Sequence, residues 1–525
     1  MPARCLFAAL CALLSTMLAA GCGGTPPEGR PAGRPPRIEP DYIGVTVPPN
    51  IAPLNFRVAE PGRLGRVELR TASGRAFAVR TKAGAAVLPA GEWRALLQDA
   101  RGDTIRVQVS VQDADGGWTR FDPFEIHVAQ EEIDSHIVYR ELGYVYMFWG
   151  RMRLRQRDIS SYDDIVLLDN DQTGGGCMNC HSFLNGRPDS ALVQVRSGAE
   201  PYGHGMLIIQ DGRITKVDTK TPQSIGLAAL SSWHPSGRAI AYSMDVFRQF
   251  FHSHRTEVRE VYDMRSDLAL YLVDEGRVTA TAAISRPDAL ETYPAWSADG
   301  KHLYFSRVVP PSPDVAELAA NQIAALRYDL VRIPYDVDAD EWGQVETVLS
   351  ADQAGGSITQ PRPSPDGRFV SFCLSDHSVF PTFQPDADIY VLSLADGSVR
   401  RLACSGEGAE SRHSWSSNSR WIVFSSKRDD GVFIRPYFAH VDESGQASKP
   451  FILPQKDPAF YGTHCYMYQF PEFLTGPLPV SGQEMARAIR YDEWHAVAAP
   501  TTGATAQQTQ EPGQSEDAGL PWRAR

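Results

Sequence analysis

Four stretches in the second half of the chain share one pattern: Ser232 to Ser243, Ala295 to Ser306, Arg362 to Phe372 and Ser414 to Ser425. In each, a short strand ends in a tight turn such as Ala298-Asp299-Gly300-Lys301, and a run of β-branched and aromatic residues such as Trp421-Ile422-Val423-Phe424 follows. That order is the signature of a β-hairpin. The turn residues Gly237, Gly300, Gly367 and Ser419 recur at intervals of about 50 to 70 residues, which leaves room for about four strands per unit. Units of this kind cannot bury their faces alone and stack radially as a β-propeller. A weaker copy, Ser182 to Val195, places Gly186-Arg187 one interval ahead of Gly237-Arg238.

These motifs resemble the repeats of the TolB-like propeller family, and the resemblance covers roughly residues 182 to 475. The copies count to five blades, or six if Tyr466 to Phe473 or part of the earlier linker completes one. Ahead of them, residues 38 to 130 hold alternating runs such as Val67-Glu68-Leu69-Arg70 and Phe124-Glu125-Ile126-His127-Val128, separated by Gly, Pro and Asp turns. Period-two alternation of this kind predicts a small immunoglobulin-like β-sandwich that serves as a spacer or docking module. The expected class is therefore all-β: a sandwich, an aromatic-rich connector over residues 131 to 176, then the propeller.

Immediately before the weak first copy stands Cys177-Met178-Asn179-Cys180-His181, behind Gly174, Gly175 and Gly176. The spacing is that of a covalent haem c site. Cys177 and Cys180 would form thioethers with the haem vinyl groups, and His181 would be the proximal iron ligand. A local disulfide, half a zinc site and a thioredoxin-like redox pair are the competing readings. A zinc ribbon needs a second close pair, but Cys373, Cys404 and Cys465 stand far apart. A redox pair expects a strand-to-helix setting that lowers the thiol pKa, whereas β-like sequence follows here. For the sixth ligand the sequence offers His252, beside Phe250 and Phe251 on an insertion, with His204, Met206, His254, His464 and Met467 as alternatives. That ligand separates electron transfer from small-molecule chemistry.

Met1 to Gly21 has the apolar core of an export signal and is too short to stay as a membrane span. It ends Leu18-Ala19-Ala20-Gly21-Cys22, which resembles a bacterial lipobox; the resemblance implies acylation of Cys22 and, with no Asp after it, an outer-membrane address. Residues 22 to 37 read as a Gly/Pro/Arg-rich tether, and residues 476 to 525 as an extension that ends in a polar, disordered tail. Export agrees with haem attachment, which takes place outside the cytoplasm. The arginines between Arg151 and Arg157 could face solvent or pair with haem propionates.

A net charge of -12 with no long basic run argues against a nucleic-acid partner. No GxSxG elbow occurs for a hydrolase, and acidic residues such as Asp299 and Asp366 sit on turns that already account for them. The expected function is that of an exported, lipid-anchored mono-haem c-type protein that transfers electrons to, or senses redox state with, a protein partner. An envelope scaffold with a structural cysteine pair is the alternative. The combination of lipobox, β-domain, single CxxCH and propeller resembles a group of cytochrome-related bacterial propeller lipoproteins, with Asn50 to Phe56 and Cys177 to Phe183 carrying the likeness.

Overall fold

The computed structural model describes residues 29–143, 150–178, 180–197, 201–222, 224–254 and 256–498. The export signal, Cys22 and the polar tail lie outside the described residues, as do Tyr144, Tyr146, Phe148 and Trp149 of the connector.

The N-terminal domain is a β-sandwich of a seven-stranded and a three-stranded sheet. Leu64–Thr71 and Phe124–Val128 flank Thr104–Gln112 in antiparallel register, and their alternation buries one face, including Val67, Leu69, Ile105, Val107 and Ile126. Alternation does not reveal the helix Ala90–Asp99, which buries Trp93, Leu96 and Leu97. These lie at i, i+3 and i+4, a helical stripe too short to stand out. The stretch read as a tether is partly built in: Arg30–Pro31 pairs with Trp118–Arg120, and Arg34 forks onto Glu60 at 2.7 and 2.8 Å.

The propeller has six blades. Their inner strands are His181–Phe183, Ala228–Trp233, Leu290–Trp296, Ser357–Pro363, Glu410–Trp415 and Met467–Leu474, and each touches the next around a closed ring. The first five blades run outward in sequence order. The sixth takes its inner strand from the C-terminal region and its outer three, His136–Leu142, Met152–Asp158 and Asp164–Asp169, from the connector. Both routes to a sixth blade are therefore used at once. The connector aromatic Tyr139 is buried in that blade against Tyr468, with ring centroids 4.7 Å apart. Alternation in Met152-Arg153-Leu154-Arg155 puts Arg153 and Arg155 on one face, where Glu141, Asp164 and Asp169 pair with them; these arginines are occupied locally. The repeated turns place Gly237, Gly300 and Gly367 at φ of 76°, 73° and 70°, and Ser419 takes the same left-handed position at 59°.

The first blade is widened by His495–Ala496, parallel to Arg213–Asp218. Before it, the helix Gly482–Tyr491 starts on a Ser481/Glu484 capping box and buries Met485, Ala488 and Ile489. The second blade carries a long hairpin, Ala239–Phe251 with Arg259–Leu272. It reaches the loop after the fourth blade's second strand through the Phe247–Phe380 rings at 4.9 Å, and the fifth blade through the Glu257–Lys427 ion pair.

Candidate functional site

Midway along four of the inner strands the ladder slips, and the residue at the slip adopts a left-handed conformation: Tyr293, Gln360, Arg412 and Phe470, with φ between 53° and 56°. Each such non-glycine residue costs about 1–3 kcal/mol, and the position after it is Pro294, Pro361, His413 or Pro471. In the first blade the CxxCH stretch fills the same break. Cys177 pairs with Arg196 through bonds of 2.7 and 2.8 Å, His181 pairs with Val193, and Cys180 accepts from Gln194 N at 2.8 Å between them. The motif is thus the first blade's form of the bulge.

These slips turn two tiers of side chains into the central channel. One tier holds Cys180, Leu230, Tyr293, Gln360, Arg412 and Phe470, and the next holds His181, Ser231, Pro294, Pro361, His413 and Pro471. They line a narrow, partly open cavity of about 30 Å³. Arg362 and Glu472, 3.4 Å apart, line it too and also line a wider cavity of about 130 Å³ beside Trp233, Trp296 and Trp415.

His181 is buried, and neither ring nitrogen has a hydrogen-bond partner; the backbone near Phe470 and Val138 approaches the ring without closing hydrogen-bond geometry. Burial first, then the Arg140 guanidinium, pushes its pKa down to about 3. The imidazole is neutral, with a lone pair to offer. His413 is likewise buried and pushed down to about 3, by burial and then by Arg362. Its Nδ1 lies 3.6 Å from the Cys373 sulfur, the Ser371 backbone approaches the ring, and Nε2 closes no hydrogen bond. Two guanidiniums stack on Phe470, Arg412 at 3.9 Å and Arg140 at 4.5 Å from the ring centroid. Burial pushes Arg140 down to about 10, with the Cys177 and Cys180 thiols acting in the opposite direction. Burial also pushes Glu472 up to about 7, partly offset by Arg362.

The donor set suits a covalent haem in several respects. A thiol and a neutral, orphaned imidazole adjoin on a mixed aromatic and proline wall, and Arg362 and Arg412 are at hand for carboxylates. Cys177 is buried in the neighbouring apolar cluster with Met152 and Met178. Neither motif cysteine is in a disulfide, and no group of three or more metal-ligating side chains gathers among the described residues.

The other expected ligands lie elsewhere. His252 is at the tip of the long hairpin, bonded through Nε2 to Glu260 at 2.8 Å, and is not part of the cavity wall; of the two phenylalanines beside it, Phe250 packs on Tyr262 within the hairpin and Phe251 is exposed. His254 is exposed next to it. His204 is on the first blade's third strand, Met206 in the core between the first two blades, and Met467 in the cluster that contains Cys177. His464 stacks on Phe460 at 4.4 Å. Sequence reasoning passed over His413, Arg412 and Glu472. The available signal was positional: His413 stands two residues before Trp415, where the third and fourth blades have Pro294 before Trp296 and Pro361 before Pro363.

No family model and no curated protein matches the chain. Among solved structures, one assigned as a 6-phosphogluconolactonase from Bacteroides uniformis is 13% identical, covers 78% of this chain and 98% of its own, and has a TM-score of 0.34. A puromycin-hydrolysing peptidase from Mycobacterium tuberculosis is 13% identical over 68% of this chain and 52% of its own, with a TM-score of 0.34. Dipeptidyl peptidase 4 from Porphyromonas gingivalis is 11% identical over 57% and 43%, with a TM-score of 0.30. Likeness at this level carries no argument about chemistry, and the propeller rests on the strand pairings of this chain.

Proposed function

We propose that the chain is an exported, lipid-anchored c-type haem protein on a TolB-like propeller, which passes electrons to or senses redox state with a protein partner at the bacterial envelope, on the outer membrane. One observation carries the reading: His181, buried and neutral with both ring nitrogens unpartnered, borders the central cavity directly after Cys180. Cys177 and Cys180 would each add across a vinyl group, sulfur to one carbon and the thiol hydrogen to the other. His181 would supply an imidazole nitrogen to the iron, and Arg412 and Arg362 would face the propionates. A bound haem supplies a reversible one-electron couple. The surrounding burial would exclude water, and the positive charge of Arg412 beside the site would favour the electron-rich state. Acylation of Cys22 would hold the protein to the membrane.

The test is maturation in a periplasm competent for haem attachment, followed by a visible spectrum and haem staining of a denaturing gel. A Soret band and a stained band are expected, and both should vanish in Cys177→Ala/Cys180→Ala. Absence of both signals in the unaltered protein overturns the reading and leaves the envelope scaffold with a structural cysteine pair.

A further inference from the structure

The second histidine of the cavity is unexplained by packing. A buried imidazole nitrogen without a partner is costly, so such a group in a folded protein calls for a reason. At the same place in the third, fourth and sixth blades stand Pro294, Pro361 and Pro471, side chains that fill space and present no polar atom. The fifth blade has His413 at this place, the first His181 and the second Ser231.

The neighbours of His413 favour the tautomer that carries its proton on Nδ1. The Cys373 thiol lies within reach of Gln360 Oε1 at 3.4 Å and the Glu410 carbonyl at 3.7 Å, so its proton has acceptors. Its sulfur then faces His413 Nδ1–H at 3.6 Å, which leaves the lone pair on Nε2. A ligating imidazole is held in this way, by a partner on the nitrogen remote from the metal. The Cys373 thiol, pushed up to about 12 by burial, stays protonated in this role.

We infer that His413 Nε2 would be the second protein ligand to the iron of a haem held at Cys177, Cys180 and His181, which would give the iron two imidazoles and suit the site to electron transfer rather than to binding an external ligand. The inference rests on the haem reading above. It displaces His252, which Glu260 already engages.

The test uses the full, haem-loaded protein. The unaltered protein should give a low-spin, six-coordinate spectrum in both redox states and the electron paramagnetic resonance pattern of two imidazoles. His413→Gly should keep the haem stain, turn high-spin, bind carbon monoxide or cyanide at least tenfold more tightly, and return to low spin on addition of free imidazole. A stained His413→Gly protein with an unchanged low-spin spectrum would overturn the assignment while leaving the haem reading intact, as would a high-spin spectrum of the unaltered protein. Should His413→Gly fail to fold, the resonance pattern of the unaltered protein decides alone. Loss of stain from the unaltered protein removes the haem reading and this inference together.

Discussion

The first and fifth blades bring the two histidines to the channel, and they differ in what stands behind each ring. His413 is braced through Nδ1 by Cys373. His181 has a partner on neither nitrogen and sits one residue after a thiol that borders the same cavity. One imidazole is oriented by the protein fold, whereas the other is left to be oriented by whatever its neighbouring thiols hold. Under the proposed reading, such a site would have one preset side and one side completed by its occupant.

The largest effect expected on this contrast is removal of the occupant's anchor: Cys177→Ala/Cys180→Ala should take haem stain to background while the channel's fifth-blade side, read by thermal unfolding, changes little. The next concerns acid. Both histidines are neutral in the fold and protonate near pH 6.5 when unfolded, so the unfolded state binds more protons between pH 6.5 and 3 and stability falls as pH falls through that window. Each contributes up to about 1.4 kcal/mol per pH unit. His413→Gln should flatten the acid limb of urea midpoints in haem-free protein by about that slope, and an unchanged limb would remove the fifth blade from the contrast.

Glu472 acts with the opposite sign. Its carboxyl is pushed from 4.5 up to about 7, so the folded state holds the proton longer and stability declines as pH rises from 4.5 to 7. Glu472→Gln should remove a decline of about 3 kcal/mol over that range, measured by the same titration. A smaller change is expected for Cys373→Ala, about 1–2 kcal/mol of stability; in haem-loaded protein it should also broaden the low-spin signal if Cys373 sets the His413 ring. Smallest is Pro361→Ala, where the unfolded chain gains freedom worth about 0.4–1 kcal/mol and no spectroscopic change should follow.

Legibility in the sequence followed locality. The hairpins of the second to fifth blades were readable because each keeps its turn and both inner strands within about a dozen residues, and the CxxCH stretch stood out because its spacing is contiguous. The sixth blade combines Met467–Leu474 with strands more than 300 residues earlier, so no contiguous hairpin announced it. His413 lay hidden for a related reason. Its importance comes from sharing a tier with His181, 232 positions away in the chain, and only ring closure sets that tier. The sequence favoured His252 through local apolar bulk, which proved to lie at the tip of a hairpin.

Closing the ring with strands from both ends of the chain also bears on how the site is reached. Phe470, Pro471 and Glu472, which wall the cavity beside His181, belong to the last inner strand to leave the ribosome or the export channel. Until that strand docks between the first and fifth blades, Cys177 and Cys180 lie on an open seam; once it docks, they are enclosed. If haem is held here as proposed, its loading would be an event of biogenesis, timed against the final clasp of the fold, and a haem-free chain that has already closed should have to reopen its sixth blade before it can be loaded.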